Sequence, residues 1–292
     1  MKAASFDYLR AASVGEACAA LREQGEDAKL LAGGQSLVPM MAMRLARPAL
    51  LVDINDIAGL KFVAFEPGEV RIGACTRQSA LERDDALASR VPMLRQALAW
   101  VGHLQTRNRG TIGGSLAHAD PAAELPLAAQ TLGATMIVRS AGGNRTLPAG
   151  GFFSGPMSTA MRSDECLEEV RWPVWPERRT GSAFTELSIR HGDFALVAAA
   201  AQVALGDDGR CVRACFGLGG VGPTPLAFPG LAARLAGRRP DDALIESLAR
   251  EAAQEIAPWN DPHASADYRR HLAAVLAARA LQAACSEALG RP

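Results

Sequence analysis

The chain has 292 residues, of which 49% are hydrophobic and 21% charged, as is typical of soluble globular proteins. This length exceeds what one small core needs and predicts two or three packed units. Basic and acidic residues number 31 each and give a net charge of zero, so neither a nucleic-acid partner nor attraction to an anionic membrane is predicted.

The chain carries no evident targeting segment and no metal-binding cysteine motif. Residues 1–10 lack a long apolar run and a small-residue cleavage site, so no signal peptide is predicted. The longest apolar stretch, residues 194–205, is too short to span a bilayer. The six cysteines form no C-x-x-C pair, so free thiols are predicted rather than a zinc or iron–sulfur site. We expect a cytoplasmic protein without a membrane span.

The first half of the chain contains short helical and strand patterns. A helix is predicted over residues 13–24, with Ser13 and Glu16 as a capping pair and Gly25 as its end. Further helical patterns cover residues 35–45 and 92–101, and strands are predicted at residues 28–32, 50–54, 70–74 and 135–138. Residues 107–126 are punctuated by turn-forming residues and receive no helix or strand prediction.

A segment rich in proline and charge, residues 173–181, is interpreted as the boundary between domains at residues 1–176 and 177–292. Beyond it, two strands are predicted to form a hairpin around Asp207-Asp208-Gly209, and two alanine-rich helices follow. The strands cover residues 194–205 and 210–217, and the helices cover residues 241–256 and 264–289. Because helices and strands do not alternate regularly, we predict an α+β fold rather than a doubly wound sheet.

The first candidate binding segment is Lys29-Leu30-Leu31-Ala32-Gly33-Gly34-Gln35-Ser36. It runs from an apolar strand into two glycines and then into helical residues. Glycines permit a positive φ, and successive backbone N–H groups in such a turn can hold a phosphate without a cationic side chain. The Ser36 hydroxyl could add a donor. The alternative is a tight turn that only connects two elements.

The second candidate is Arg107-Asn-Arg-Gly110-Thr111-Ile112-Gly113-Gly114-Ser115, followed by Ala117, His118, Asp120 and Glu124. Two phosphate-sized Gly-Gly turns suit a ligand with two phosphates, such as FAD. The three polar residues at the end also suit a zinc site by type, but no H-E-x-x-H pattern supports it. For Glu124 a carboxylate that bonds a sugar hydroxyl or the flavin edge is favoured, and helix capping remains the alternative for Asp120.

A third glycine-rich segment, Gly217-Leu-Gly-Gly-Val-Gly222, satisfies the G-x-G-x-x-G pattern of dinucleotide-binding turns. Pro223 and Pro225 follow at once, so no helix can open there to receive a pyrophosphate. We interpret this segment as a glycine-rich turn.

The paired glycine segments, together with Ala119-Asp-Pro-Ala-Ala-Glu124 and Arg190-His-Gly-Asp-Phe-Ala195, resemble the FAD-binding medium subunits of molybdenum hydroxylases. This family includes the medium subunits of carbon monoxide dehydrogenases and resembles the flavin domain of xanthine dehydrogenase. The resemblance covers the whole chain. It implies an α+β fold of the PCMH or vanillyl-alcohol-oxidase type with a smaller C-terminal α+β domain.

The resemblance also implies the residues that contact FAD. Residues Lys29 to Ser36 would wrap the pyrophosphate, with Gly33 and Gly34 closest, and Ala117 and His118 would lie along the ribityl chain. A second phosphate wall would be formed by Gly110, Thr111, Gly114 and Ser115. The cofactor-binding segment that contains this wall also includes Ile112 and Gly113. Glu124 would contact the sugar-like chain, and Val101 and Leu167 would line the adenine or ring pocket. No catalytic residue and no metal ligand are expected.

The chain departs from its family at three places. Ser115 stands where many members have asparagine, Glu124 is longer than the aspartate of some relatives, and no lysine is present near Thr185 or Glu186. The cysteine spacing also gives no support for the extra iron–sulfur loop of one branch.

The function implied is electron relay. A large partner subunit would hold the molybdenum cofactor, a small partner would carry [2Fe-2S] clusters, and this chain would pass electrons through FAD to an external acceptor, in a dimer of heterotrimers. Two alternatives remain: a stand-alone flavin oxidase of the same fold, and a nucleotide-binding scaffold without redox activity.

Overall fold

A small parallel sheet forms the N-terminal part of the chain in the computed structural model, which describes residues 2–290. Its strands are β1 (Asp7–Arg10), β2 (Ala28–Leu31) and β3 (Leu50–Asp53), in the order β1-β3-β2. Parallel neighbours need crossover connections, and these are provided by helix α1 (Val14–Gln24) and by the segment that contains helix α2 (Leu37–Ala42).

The capping prediction for α1 is confirmed, with one difference. The Ser13 hydroxyl accepts a hydrogen bond from the Glu16 backbone N–H at 3.1 Å, and Gly25 ends the helix with a φ of 59°. The Glu16 carboxylate accepts from the N–H of Ala12, at 2.7 Å, rather than from that of Ser13.

A five-stranded antiparallel sheet and a layer of short helices form the next part. The elements in chain order are β4 (Val63–Glu66), β5 (Glu69–Gly73), α3 (Gln78–Glu82), α4 (Asp85–Arg90), α5 (Pro92–Leu98), α6 (Leu104–Arg109), α7 (Ile112–His118), α8 (Glu124–Leu132), β6 (Thr135–Ser140), β7 (Gly143–Pro148), α9 (Ala149–Phe152), β8 (Phe153–Gly155), β9 (Ser158–Thr159) and β10 (Cys166–Pro173). The sheet order is β4-β5-β10-β6-β7, and β8 pairs with β9.

A four-stranded antiparallel sheet and three helices complete the chain. The elements are β11 (Thr180–Leu187), β12 (Val197–Leu205), β13 (Cys211–Gly219), β14 (Leu226–Ala227), α10 (Pro229–Ala233), α11 (Asp242–Glu255) and α12 (Ala266–Gly290). The strands follow one another in the order β11-β12-β13-β14. The predicted hairpin is confirmed: β12 and β13 are joined through Asp207-Asp208-Gly209, where Gly209 has a φ of 74°. The predicted α+β fold class is confirmed.

The central strand β12 is buried on both faces because its alternate residues belong to two different cores. Ala198 and Ala200 pack into the core that also contains the five-stranded sheet and α8, whereas Val197 and Ala199 pack into the C-terminal core with α11 and α12. Small side chains in β12 therefore allow helices to approach it from both sides.

No helix or strand was predicted for residues 107–126, but helices α6, α7 and α8 occupy much of this segment. Gly113 shows why glycines of this segment were interpreted as turn-forming residues although Gly113 and Gly114 lie in a helix. A Cβ at Gly113 would lie 2.5 Å from the Ala74 Cβ and 2.7 Å from the Ala74 carbonyl oxygen. The glycine therefore serves close packing of α7 rather than a turn. Strands β1, β4, β7, β10 and β11 were not predicted.

The third glycine-rich segment opens no helix, as expected from its prolines. Gly217 and Gly219 lie within β13, and the next helix begins only at Pro229. A Cβ at Gly217 would lie 2.4 Å from the Thr131 hydroxyl, so this glycine allows α8 to pack on the sheet. The turn itself occurs at Gly220, where φ is 73°.

Helix α12 is the one described helix that is long and apolar enough to cross a membrane by length and composition, and half of its most apolar window is buried within the protein. Leu272, Leu276 and Leu281 of this helix belong to the C-terminal core. Burial of these side chains gives α12 a structural role in packing the sheet.

The packing of α12 on β11 generates a stability prediction. A Cβ at Gly181 would lie 2.1 Å from the Ala284 carbonyl oxygen and 2.5 Å from the Ala288 nitrogen, both backbone atoms. We expect Gly181→Ala to lower the free energy of unfolding by about 1–3 kcal/mol, because helix and strand must separate. Urea denaturation would measure this, with Gly150→Ala as control, since nothing lies within 4 Å of a Cβ there. Equal stability of the two variants would contradict the prediction.

Candidate functional site

A cavity of about 1020 Å³ lies where the two glycine segments meet, and it is large enough for an extended ligand such as a dinucleotide. It brings together most of the predicted site residues. These are Lys29, Leu30, Ala32, Gly33, Gly34, Gln35, Ser36, Val101, Gly110, Thr111, Gly113, Gly114, Ser115, Ala117, His118, Glu124 and Leu167.

Two predicted residues, Leu31 and Ile112, do not line this cavity. Leu31 borders a smaller cavity of about 330 Å³ that shares the Gly33–Gly34 backbone. Ile112 is fully buried in the core beneath the site. Leu31 ends a strand, where successive side chains point to opposite faces, and Ile112 lies on the face of α7 that packs into the core.

The first glycine segment has the geometry of an anion-binding turn. Strand β2 ends at Leu31, Gly34 adopts a φ of 71°, and α2 begins at Leu37. Within residues 2–290, the backbone N–H groups of the four residues from Gly33 to Ser36 donate to no protein acceptor. Consecutive unengaged N–H groups at a cavity wall are suited to phosphate oxygens.

The second glycine segment is not a phosphate-sized turn, and that prediction is wrong. Its glycines form the first turn of α7, and the N–H groups there are already used. The N–H of Ile112 donates to Thr76 O at 3.1 Å, and that of Gly113 donates to Ala74 O at 2.9 Å. The N–H of Gly114 donates to the Thr111 hydroxyl at 3.1 Å. The segment therefore offers hydroxyl groups to a ligand rather than a row of backbone donors.

Two hydroxyls of this wall are available to a ligand. The Thr111 oxygen accepts a hydrogen bond from Gly114, so its own hydrogen remains free to be donated. The Ser115 side chain has no hydrogen-bond partner in the described part of the chain. Ser115 thus retains hydrogen-bonding capacity toward a ligand.

The two glycine segments touch through their backbones. A Cβ at Gly33 would lie 2.5 Å from the Arg109 carbonyl oxygen and 2.9 Å from the Gly110 Cα. A Cβ at Gly110 would lie 2.3 Å from the Gln78 side-chain oxygen. Only glycine allows this approach, which places unengaged N–H groups and hydroxyls on adjoining walls of one cavity. These walls fit the diphosphate of FAD.

The remaining walls come from residues that received no role in the sequence analysis. They are Ser158, Thr159, Met161, Arg162, Ser163 and Glu165 near β9, and Gly192, Asp193 and Phe194 between β11 and β12. The second group belongs to the Arg190–Ala195 motif, which the resemblance included without a function. A sequence signal for these residues was therefore present, but it did not place them at the cavity.

An ion pair holds one of these walls in place. The Arg145 guanidinium donates to Glu165 at 2.6 Å and to the Ala160 carbonyl oxygen at 2.7 Å. The hydrogen bond from Arg145 lowers the pKa of Glu165 despite its burial. Glu165 also accepts from the backbone N–H of Arg162 at 2.7 Å. Arg162 and Lys29 are exposed cations on the cavity rim and suit a ligand with negative charge.

Two buried carboxyl groups, Glu124 at the cavity wall and Glu186 in β11, are close enough to interact electrostatically. Glu124 begins α8 with 5% exposure, and burial raises its pKa to about 7. Glu186 in β11 is 8% exposed, and burial, followed by the charge of Glu124, raises its pKa to about 8. One oxygen of Glu186 is buried without a hydrogen-bond partner. At neutral pH Glu186 is therefore protonated, and much of Glu124 can donate as well as accept a hydrogen bond.

The arrangement of His118, Asp120 and Glu124 differs from that of a metal site. An Asp120 oxygen accepts from the Ala122 N–H at 2.9 Å, which closes a turn before α8 rather than capping it. Among the described residues, no group of three His, Cys, Asp or Glu side chains is placed to hold a metal ion.

The buried acid pair predicts an unusual pH dependence of stability. The folded-state pKa of Glu186, about 8, lies above the ordinary glutamate value of 4.5, so the folded chain binds more protons and loses stability as pH rises between these values. We expect Glu186→Gln to raise the free energy of unfolding at pH 8.5 by roughly 2–4 kcal/mol and to have little effect at pH 5. Urea titrations across this range would test it. The exposed Glu23→Gln variant is the control, and parallel pH profiles for wild type and Glu186→Gln would refute the prediction.

Comparison with known protein families identifies both halves of the chain. Residues 4–175 match the FAD binding domain in molybdopterin dehydrogenase, and residues 182–284 match the CO dehydrogenase flavoprotein C-terminal domain. The first match alone covers more than half of the chain.

Relatives match over nearly their full length. The chain is 39% identical to the 6-hydroxypseudooxynicotine dehydrogenase complex subunit alpha of Paenarthrobacter nicotinovorans, covering 99% of this chain and 97% of the relative. It is 38% identical to the carbon monoxide dehydrogenase medium chain of Afipia carboxidovorans, covering 97% and 98%.

Solved structures agree with these relatives. A carbon monoxide dehydrogenase from Hydrogenophaga pseudoflava that lacks the Mo-pyranopterin moiety superposes with a TM-score of 0.95 at 36% identity, covering 98% of this chain and 99% of that chain. Quinoline 2-oxidoreductase from Pseudomonas putida 86 gives a TM-score of 0.93 at 36% identity, covering 99% and 100%. The PCMH-type fold and the FAD cofactor implied by the resemblance are confirmed. The chain therefore belongs to the FAD-binding medium subunits of the molybdenum hydroxylase family and is an oxidoreductase subunit.

Proposed function

We propose that this chain is the electron-relay subunit of a molybdenum-dependent dehydrogenase. The observation that carries the proposal is the row of unengaged N–H groups from Gly33 to Ser36, which faces a dinucleotide-sized cavity. Bound FAD supplies the redox chemistry, in which electrons arrive one at a time and leave for an external acceptor. The chain itself binds, orients and shields the cofactor, and no side chain is required as an acid, base or nucleophile.

Different residues of the cavity bind different parts of the cofactor. The first glycine segment holds the pyrophosphate through its backbone N–H groups, and the hydroxyls of Thr111 and Ser115 form the facing wall with Gly110 and Gly114. Ala117 and His118 border the ribityl chain, and Glu124 bonds one of its hydroxyls. Val101 and Leu167, which are 8% and 4% exposed, supply apolar wall to the adenine or isoalloxazine ring.

The partners are a large subunit with the molybdenum cofactor and a small subunit with [2Fe-2S] clusters, assembled as a dimer of heterotrimers. Support comes from the relatives, whose names describe a complex subunit and a medium chain. Exposed apolar side chains near the cavity rim also suit a partner, since Phe194, Ile189 and Leu104 are 60%, 54% and 48% exposed. We place the complex in the cytoplasm and the boundary between the two domains of this chain at residues 176 and 177.

Cofactor content tests the central proposal. We expect the purified chain to show a flavin absorption spectrum and to release FAD on denaturation, as resolved by chromatography. Uptake of added FAD by colourless protein, alone or with its partner subunits, would equally support the proposal. Protein that takes up no FAD under any of these conditions would refute it.

The first glycine segment can be tested by placing a charge in it. We expect Gly34→Asp to lose FAD, because its carboxylate repels the pyrophosphate. Gly34→Asn has nearly the same size and also tolerates a positive φ, so it should retain more FAD than the aspartate variant. Gly59→Asp is the control for added charge, since Gly59 is exposed with open space around it. Normal FAD content in Gly34→Asp would exclude this segment as the pyrophosphate site.

Electron relay can be separated from direct oxidation of a substrate. We expect the flavin to be reduced by the substrate of the complex only when the partner subunits are present, and reduction would be followed by loss of its visible absorption. Reduction of the isolated chain by an organic substrate would instead favour a stand-alone flavin oxidase.

A further inference from the structure

A chain of hydrogen bonds joins the two glycine segments through Asn55 and Arg77, which do not line the large cavity. It begins at Asn55, just after β3. The Asn55 amide nitrogen donates to the carbonyl oxygens of Ala32, at 2.7 Å, and Leu31, at 3.3 Å. Asn55 is therefore tied to the backbone that immediately precedes Gly33.

Arg77 continues this chain to the second glycine segment. One guanidinium nitrogen, Nη2, donates to the Asn55 side-chain oxygen at 2.8 Å, and the other, Nη1, donates to the Arg109 carbonyl oxygen. The backbone next to Arg77 is joined to the same segment, because the N–H of Gln78 donates to Gly110 O at 3.0 Å. A single guanidinium thus connects the two walls of the cavity.

Asp53 and Tyr8 fix the orientation of Asn55. One Asp53 carboxylate oxygen accepts from both the backbone and the side-chain nitrogen of Asn55, each at 2.8 Å. The other oxygen accepts from the Tyr8 hydroxyl at 2.7 Å. The amide oxygen of Asn55 is consequently turned toward Arg77, and its nitrogen toward Ala32.

The hydrogen bonds end at the place where the segments are closest. The Arg109 carbonyl oxygen accepts from Arg77 and is also the atom that would lie 2.5 Å from a Cβ at Gly33. Any change in the length of this bridge therefore changes the gap between the unengaged N–H groups on one wall and the Thr111 hydroxyl on the other.

We propose that Asn55 and Arg77 form a positioning pair that sets the spacing of the two glycine segments and thereby the affinity for FAD. Neither side chain lines the large cavity, and Asn55 borders the smaller cavity that shares Gly33 and Gly34, so the pair is assigned an action through the backbone that it bonds. This inference rests on the proposed FAD site.

The chemistry of the bridge requires arginine. A guanidinium is planar and presents two nitrogens in a fixed geometry, so it can hold two acceptors at a set separation. The ammonium group of lysine keeps the positive charge but lacks the rigid fork. Lysine at position 77 therefore distinguishes a bridging role from simple attraction between a cation and the diphosphate.

The experiment measures FAD binding to the full-length chain after removal of its flavin, by the change in flavin fluorescence. We expect Arg77→Met and Arg77→Lys each to raise the dissociation constant roughly tenfold or more, in line with residues that orient a binding group indirectly. Arg95→Met is the matched control, since Arg95 pairs with Asp85 on the surface and contacts neither segment. The melting temperature of the flavin-free Arg77 variants should change no more than that of the control.

A double-variant cycle tests whether the pair acts as a unit. We expect Asn55→Ala combined with Arg77→Met to weaken FAD binding no more than the stronger single variant does. If Arg77→Met fails to fold, the FAD affinities of Arg77→Lys and Asn55→Ala decide whether the inference holds. Wild-type FAD affinity in Arg77→Lys, together with weakened FAD binding in Arg77→Met, would show a charge effect and overturn the inference. Additive losses of affinity from the Asn55 and Arg77 substitutions would also overturn it. Failure of the unaltered chain to bind FAD would refute the proposed function instead.

Discussion

The backbone contact between Gly33 and the Arg109–Gly110 segment is the constraint on which the binding site depends. The first segment follows strand β2 and the second follows helix α6, and a single methyl group at position 33 would lie 2.5 Å from the Arg109 carbonyl oxygen. Close contact brings the end of β2 and the start of α7 onto adjoining walls of one cavity. Without this close contact, the unengaged N–H groups and the hydroxyls of the facing wall could not bind the same ligand.

The two Gly-Gly pairs look alike in the sequence but have different physical roles. In the first, the backbone turns through a positive φ at Gly34 and leaves its N–H groups without protein acceptors. In the second, Gly113 lets the short helix α7 pack against Ala74 and donates its N–H to the Ala74 carbonyl oxygen, whereas the N–H of Gly114 is used by the Thr111 cap of the same helix. One pair is thus suited to recognise a diphosphate, whereas the other supports the wall that faces it.

The C-terminal sheet contributes to the same site. Strand β12 can be covered on both faces because its side chains are small, and the adjacent strand β11 places Glu186 near Glu124. Glu124 and Glu186 are both buried acids. The pair is neutral when both carboxyl groups are protonated, so its charge depends on pH. The electrostatic environment beside the cavity therefore changes with pH.

The sequence by itself determined the family, the FAD cofactor, the α+β class and 17 of the residues that line the cavity, because the glycine pairs and their neighbours are local patterns that resemble those of a known family. It also determined the α1 cap and the β12–β13 hairpin, which depend on residues a few positions apart. Only the tertiary structure decided that residues 107–126 are largely helical, that Phe194 reaches the cavity, and that Arg77 joins Asn55 to Arg109. These features depend on contacts between residues distant in the chain, and packing against those distant partners overrides the local signal of glycine and proline.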